Sequence, residues 1–276
     1  MTGGRLTEFC GRLMARTGLQ RANRFLFNVS LRGLGILNYR DLGASGEVHF
    51  LEKLLACYDG PGVERAGVIL DVGANVGAYS RAILNIAPAA QVYCFEPHPA
   101  NVRRLETALG NRVTIVPAAV GSSAGSVALY DYAGEGGSSH ASLYKDVFEK
   151  LRRQAHESLN VDMITIDDFV QQRGINAITL LKVDVEGHEL EVFRGASRVI
   201  QEQRVDAVQF EFNEMSLITK AFLGDFFAIL PGFSFYRLLP HGWIPVTDRP
   251  VENVFAFQNI VGVRQGAPPS RVFAGR

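Results

Sequence analysis

Ten residues, Asp71-Val-Gly-Ala-Asn-Val-Gly-Ala-Tyr-Ser80, follow directly on the apolar run Val68-Ile-Leu70. A short apolar run that breaks into glycines and then into a helical pattern reads as a buried parallel strand turning into a helix. Gly73 and Gly77 strip side chains from the turn, so a ligand can approach the backbone. The helix opening near Val76 aims unpaired N–H groups and partial positive charge into the same space. The spacing is Gly-x-x-x-Gly, not the Gly-x-Gly-x-x-Gly of dinucleotide folds, and Asp71 at the strand mouth would repel a pyrophosphate. The same acid can accept hydrogen bonds from the ammonium of an amino-acid moiety.

A second element fits the same kind of ligand. Gln91-Val-Tyr-Cys-Phe95 reads as the next parallel strand, and Glu96 follows it, nineteen residues beyond Gly77. In nucleotide-binding βαβ units an acid about 20 residues downstream takes the ribose hydroxyls. The plainer alternative is an acid that caps the helix starting at Pro99. A molecule with a ribose, an amino-acid ammonium and no phosphate suits both elements, and S-adenosylmethionine is one.

The rest of the chain sets limits. With 276 residues, 47% of them apolar, it can bury one large core plus a helical extension. The formal charge is zero, so nothing global suggests nucleic acid. Residues 1–40 nevertheless hold seven arginines (Arg5, Arg12, Arg16, Arg21, Arg24, Arg32, Arg40) against Glu8. That arm suits an anionic membrane surface, an acidic substrate or a solvated helical face. Cys10, Cys57 and Cys94 are too scattered for a disulfide framework or a metal knuckle and fit a reducing cytoplasm. The N-terminus lacks the apolar stretch and cleavage site of a signal peptide, and the longest uncharged stretch, Val113 to Tyr130, is broken by Pro117, Gly121 and Gly125. The expectation is a soluble, cytoplasmic protein.

From Val68 onward strand and helix patterns alternate, which predicts an α/β fold with a mostly parallel sheet and helices on both faces. Seven strands are expected: Val68–Asp71, Gln91–Phe95, Val113–Val116, Thr179–Val183, Ala207–Phe212, Ser234–Leu239 and Asn253–Val261. Residues 1–62 read as an N-terminal helical cap ending at Asp59-Gly-Pro-Gly62, residues 63–264 as the main domain, and residues 265–276 as a fraying tail. An insert over about 121–165 carries a strand Ser126–Tyr130, the loop Gly134–Ser142, and a helix from Leu143 to about Leu159, on which Leu143, Val147, Leu151 and Ala155 recur every four residues. A glycine- and serine-rich loop leading into such a helix suits either a lid over the acceptor or a plain surface loop.

The densest chemistry lies in Leu180-Leu-Lys-Val-Asp-Val-Glu-Gly-His-Glu-Leu190. A buried strand carries Asp184 to its carboxyl end, where ligands of open α/β sheets bind, and Glu186, Gly187 and His188 form the turn into the next helix. Five ionisable groups, Lys182, Asp184, Glu186, His188 and Glu189, crowd this segment, and burying them unpaired would be costly, so a polar pocket is expected. The alternative is a solvent-facing edge with acids that merely favour a helix N-terminus.

Together, Asp71-Val-Gly-Ala-Asn-Val-Gly77, Phe95-Glu-Pro-His-Pro99, Thr165-Ile-Asp-Asp-Phe169, Leu181-Lys-Val-Asp-Val-Glu-Gly-His-Glu-Leu190 and Phe193-Arg-Gly-Ala196 resemble the FkbM family of S-adenosylmethionine-dependent methyltransferases over roughly Gly46 to Val263. The resemblance implies a Rossmann-like class I methyltransferase sheet of seven strands with a reversed last hairpin, and O-methylation of a hydroxyl on a sugar, glycan or natural-product acceptor. It places cofactor contacts on Asp71, Gly73, Ala74, Asn75, Gly77 and Glu96, and on Ala119-Val120 for the adenine. The acceptor is then a small molecule, a glycan or a lipid-linked glycan, with no nucleic acid involved.

Methyl transfer to an alcohol requires the acceptor oxygen in line with the methyl at about 3–3.5 Å in a dry site, and a base for its proton. His188 has a suitable pKa, with Asp184 and Glu186 beside it, and His140 in the insert loop is a second candidate. Asp184 and Glu211, both at strand ends, could instead hold a divalent metal that activates the acceptor oxygen. The competing readings are a nicotinamide-dependent oxidoreductase, which needs phosphate space that Asp71 denies, and a non-catalytic cofactor-binding module.

Overall fold

The structure, a computed structural model, describes residues 3–58, 67–134 and 136–273, with the side chains of residues 3, 5 and 6 left aside. The expected break at Asp59–Gly62, and with it the boundary between cap and main domain, lies outside the described residues. Three helices come first: α1 (Gly3–Met14), α2 (Gln20–Gly33) and α3 (Glu47–Leu55). The chain then alternates through β1 (Val68–Val72), α4 (Ala78–Ile86), β2 (Gln91–Phe95), α5 (Pro99–Leu109) and β3 (Thr114–Val116). Three further strands, β4 (Ala119–Val120), β5 (Gly125–Tyr132) and β6 (His156–Ile164), make a small separate sheet in the order β4-β6-β5. The alternation resumes with α6 (Ile166–Arg173), β7 (Ile178–Val183), α7 (Glu189–Arg194), α8 (Ser197–Gln201), β8 (Val205–Phe212), α9 (Met215–Thr219) and α10 (Leu223–Ile229). It closes on β9 (Phe233–Leu239), β10 (Gly242–Pro245), β11 (Gln258–Arg264) and α11 (Ser270–Phe273).

The large sheet has the order β10-β9-β11-β8-β7-β1-β2-β3. Strands β3, β2, β1, β7 and β8 pair in parallel, while β11 is antiparallel to both β8 and β9. This is the class I methyltransferase arrangement with its reversed last hairpin. The chain reverses between β1 and β7, whose carboxyl ends therefore open a crevice. An eighth strand, β10, pairs antiparallel with β9 and corrects the expected seven. Its four residues, Gly-Trp-Ile-Pro, are too short to show alternation, and Pro245 fits only an edge. The last strand also begins later than expected, because residues 253–257 leave the ladder and Asn253 Oδ1 instead accepts the Leu223 N–H.

Successive β1 residues feed opposite faces. Leu70 and Val72 join Leu181, Val183, Phe193 and Phe210 on one side; Ile69 joins Phe50, Leu51, Ile83 and Leu105 on the other. Each such buried side chain contributes about 1.5–3 kcal/mol. Phe50 and Leu51 belong to α3, so this helix is part of the central core and more than a cap. Glu47 fixes it there: its carboxylate accepts hydrogen bonds from Ser45 Oγ (2.6 Å) and Gln209 Nε2 (2.8 Å). Helices α1 and α2 differ, since Leu31 is the buried residue of α2 and the rest of both lies largely at the surface. The tail does not fray as far as Phe273, which is buried and stacks on Trp243 with ring centroids 4.1 Å apart.

The insert corrects a second expectation. The four-residue repeat yields only one π-helical stretch, Val147–Arg152, which stops at Arg153 in the left-handed region (φ 51°). Residues 156–164 become β6, antiparallel to β5 from Gly125–Met163 to Tyr132–His156. Leu159, Val161 and Met163 alternate at strand period and pack with Ala119 and Leu129, a signal the helical repeat obscured.

Candidate functional site

A cavity opens at the carboxyl ends of β1, β2 and β7. Its floor is Val72, Gly73, Asn75, Phe95 and Glu96; Ala118, Ala119 and Val120 form one wall, and Ser138, Ser139, Ala141 and Leu143 of the insert form the roof. Asp184, Val185 and Glu186 close the far end. A second cavity lies beyond Asp184, lined by Glu47, Tyr79, Lys182, Glu211, Phe257 and Asn259 among others. Gly73, Asn75 and Asp184 line both cavities.

The glycine turn is built as its spacing suggests, but its two glycines serve different ends. Gly73 has φ 82°, and a Cβ there would stand 1.8 Å from the Asp184 carbonyl oxygen. It lets the ends of β1 and β7 approach and leaves backbone facing both cavities. Gly77 has φ 81°, and its Cβ would meet Leu105 and Leu109 of α5, so it serves packing and lines neither cavity. Asn75, itself left-handed at φ 49°, donates its N–H to Glu96 Oε2 at 2.9 Å. Ala74 faces only the second cavity.

Glu96 is held at the edge of the first cavity by two backbone donors, Asn75 and His98, the latter 2.8 Å from Oε1. Burial pushes its carboxyl up to about 7 against these hydrogen bonds. The donor set fits a ribose: an acid fixed at the end of β2 with further lone pairs toward the cavity, and apolar Phe95, Ala119 and Val120 beside it for a flat base.

Asp71 corrects the sequence reading. It is fully buried and lines neither cavity. Ser80 Oγ donates to its Oδ2 at 2.6 Å, and an ammonium does face Oδ1, but it is that of Lys182, 3.4 Å away and without a hydrogen bond. Lys182 also donates to Asp184 Oδ2 at 3.2 Å. Burial alone would lower the Lys182 pKa, yet Asp184, Asp71 and Glu47 outweigh it and hold the ammonium above its ordinary value. Burial likewise works against the Asp184 carboxylate, but Lys182 and a hydrogen bond from Glu211 hold it below its ordinary value. Glu211 is pushed well above normal by burial and by the Asp184 charge, so it carries the proton shared with Asp184. Thus Asp184 and Glu211 do meet, as a metal pair would, but Lys182 and that proton already neutralise them. Among the described residues no group of three or more His, Cys, Asp or Glu side chains is arranged to hold a metal ion.

The turn after β7 is shaped by Glu189, whose Oε1 accepts the N–H groups of Val185 and Gly187, each at 3.1 Å. That leaves Glu186 (φ 54°) and Gly187 (φ 105°) in left-handed conformations. Glu186 consequently points toward the insert, where His140 Nδ1 lies 3.0 Å from Oε1 and Arg152 Nη2 3.1 Å from Oε2. The Glu186 hydrogen bond raises the His140 pKa, while burial raises that of Glu186. His188 points elsewhere. It lines neither cavity, its Nδ1 lies 2.9 Å from the Tyr144 hydroxyl, and its buried Nε2 has no partner, close to where a Cβ on Gly121 would stand. Burial lowers its pKa to about 4. Of the expected trio, Asp184 and Glu186 meet at the cavity and His188 does not.

Sequence reasoning counted Lys182 in a polar pocket without giving it a partner, and passed over Arg104 altogether. Arg104 donates to the carbonyls of Gly137 and, at 3.3 Å, Gly136, and Asn101 donates to that of Ser138 at 3.2 Å, which pins the roof to α5. A charged residue on a solvent-facing helix gives no sign of a contact some thirty positions away.

Known proteins bear on this geometry. Residues 71–229 match the family described as the methyltransferase FkbM domain. The chain is 26% identical over 187 residues to the 2-O-methyltransferase NoeI of Sinorhizobium fredii, covering 63% of this chain and 75% of that one. It is 28% identical over 220 residues to the 31-O-demethyl-FK506 methyltransferase FkbM of Streptomyces tacrolimicus, covering 69% and 83%. The hexuronic acid methyltransferase AglP of Haloferax volcanii is 29% identical over 140 residues, 50% of this chain and 53% of its own. With more than half of its length matched, the chain belongs to the FkbM methyltransferase family.

Proposed function

We propose that this methyltransferase uses S-adenosylmethionine to methylate a hydroxyl of a sugar, glycan or polyhydroxylated natural product. The observation that carries the reading is Asp184, which lines both cavities and so stands where a donor in the first would meet an acceptor in the second. When bound, S-adenosylmethionine supplies an electrophilic methyl on a sulfonium. Glu96 takes the ribose hydroxyls, and Asp184, kept ionised by Lys182, accepts a hydrogen bond from the cofactor ammonium or the acceptor hydroxyl. The second cavity is rich in carboxyl and amide groups, Glu47, Glu211 and Asn259, with Phe257 offering an apolar face, a set suited to a sugar ring.

His140 takes the acceptor proton in this reading. His140, like His188, lines neither cavity, but its neighbours Ser139 and Ala141 line the first, and Glu186 fixes its Nδ1, leaving Nε2 with no hydrogen bond among the described residues. A base oriented by a carboxylate and raised above its ordinary pKa is well suited to deprotonate an alcohol during attack. The 2-O specificity in the name of NoeI and the 31-O position in that of FkbM support an oxygen acceptor, and the hexuronic acid in the name of AglP supports a sugar. The test is transfer of an isotopically labelled methyl from S-adenosylmethionine to a panel of glycosides, uronic acids and macrolides. Labelled ether on one hydroxyl is expected; label on nitrogen or carbon would overturn the assignment.

A further inference from the structure

The N-terminal arm holds a surface that neither cavity uses. On α1, Phe9 (61% exposed) and Leu13 lie four residues apart on one face; on α2, Phe25 (67% exposed), Leu26 and Val29 lie at helical spacing and are all exposed. Arg21 and Arg32 flank the α2 face, and Arg16 and Arg24 line an open cleft between the helices together with Phe27. An apolar stripe bordered by arginines on surface helices is the pattern of a segment that lies in a membrane interface. No helix among the described residues is long and apolar enough to cross a membrane.

The charge distribution selects the kind of membrane. Seven arginines against Glu8 in residues 1–40 leave 21 basic against 27 acidic residues in the remainder, so a neutral chain is strongly polarised. An anionic surface attracts the arm and repels the rest, which orients the molecule arm-down.

We propose that α1 and α2 dock on anionic phospholipid bilayers, with Phe9, Leu13, Phe25, Leu26 and Val29 entering the interface and the arginines contacting headgroup phosphates. Docking is independent of the reaction and would bring the enzyme to acceptors held at a membrane.

The test is sedimentation of the full chain with vesicles of phosphatidylcholine containing one-third phosphatidylglycerol, and with phosphatidylcholine alone, at low and high salt. Strong binding to the anionic vesicles is expected, weakened by salt and lost on neutral ones. R21E/R24E should lower the partition by at least the roughly fivefold per neutralised arginine. F25S/L26S should lower it more than tenfold, while both variants keep the parental Tm and affinity for S-adenosylhomocysteine. Failure of the parent to sediment with anionic vesicles at low salt, or unchanged binding by F25S/L26S, would overturn the proposal. So would a concentration-dependent dimer of the parent, abolished by F25S/L26S, that does not bind vesicles, because the face would then be a contact between copies.

Discussion

His140 and Glu186 lie 46 residues apart in the chain, yet His140 Nδ1 stands 3.0 Å from Glu186 Oε1 above the crevice that Asp184 divides. The contact exists because Glu186 adopts a left-handed backbone after β7 while the insert folds back over the strand ends. Replacing His140 by Ala should lower kcat about 10²–10⁴-fold, the range for losing a general base, with little change in cofactor affinity. His188→Ala should leave kcat within severalfold of the parent. Since Glu186 raises the His140 pKa, the neutral, active form gains population only as pH rises through a value above the ordinary imidazole. The acid limb of kcat should therefore lie above about 6.5 and move down in Glu186→Gln. Steady-state rates across pH check this; parental kcat in His140→Ala would transfer the role to Asp184.

The two glycines of the turn should fail differently. Gly73→Ala sets a Cβ against the Asp184 carbonyl and should prevent correct joining of β1 and β7, giving little folded protein. Gly77→Ala displaces only the flexible ends of Leu105 and Leu109 and adds positive-φ strain, for a loss of about 1–3 kcal/mol. Urea unfolding of the purified variants measures both.

Lys182 is the buried cation between Asp71 and Asp184. Lys182→Met should destabilise the fold by about 3–5 kcal/mol, because it leaves buried carboxylates uncompensated. Asp71→Asn in the same background should recover part of that loss; unfolding in urea shows whether the two are coupled.

Much of this was legible in the sequence because the signals are local. Buried apolar runs located β1, β2 and β7, and the acid after β2 falls in the first cavity as its spacing required. The departures at the site are matters of direction. Asp71 and Glu96 look alike as acids at strand ends, but Asp71 turns inward to Ser80 and Lys182. His188 and His140 are separated by which way one turn rotates, and Glu189, by pulling in the amides of Val185 and Gly187, decides it. The β6 strand was hidden because Leu143, Val147, Leu151 and Ala155 also fit a helix, and pairing with β5 overrides that local pattern.

The roof over the first cavity should contribute to cofactor affinity as well as to acceptor binding. Arg104→Ala frees the carbonyls of Gly136 and Gly137 and should weaken S-adenosylhomocysteine binding severalfold at nearly unchanged Tm. Fluorescence titration and a thermal melt on one sample separate the two effects; unchanged affinity would make the segment a surface decoration.

The central claim is that the first cavity is the S-adenosylmethionine site with Glu96 on the ribose, and calorimetric titration with S-adenosylhomocysteine tests it most directly. The bound ribose hydroxyls favour the Glu96 carboxylate, so binding should release a proton, and affinity should fall as pH drops below the Glu96 value of about 7. One site per chain is expected at pH 8, weaker at pH 6, with Glu96→Ala about ten- to a hundredfold weaker at pH 8 and no heat from NAD. Parental affinity in a folded Glu96→Ala protein, or binding of NAD in place of S-adenosylhomocysteine, would contradict the account.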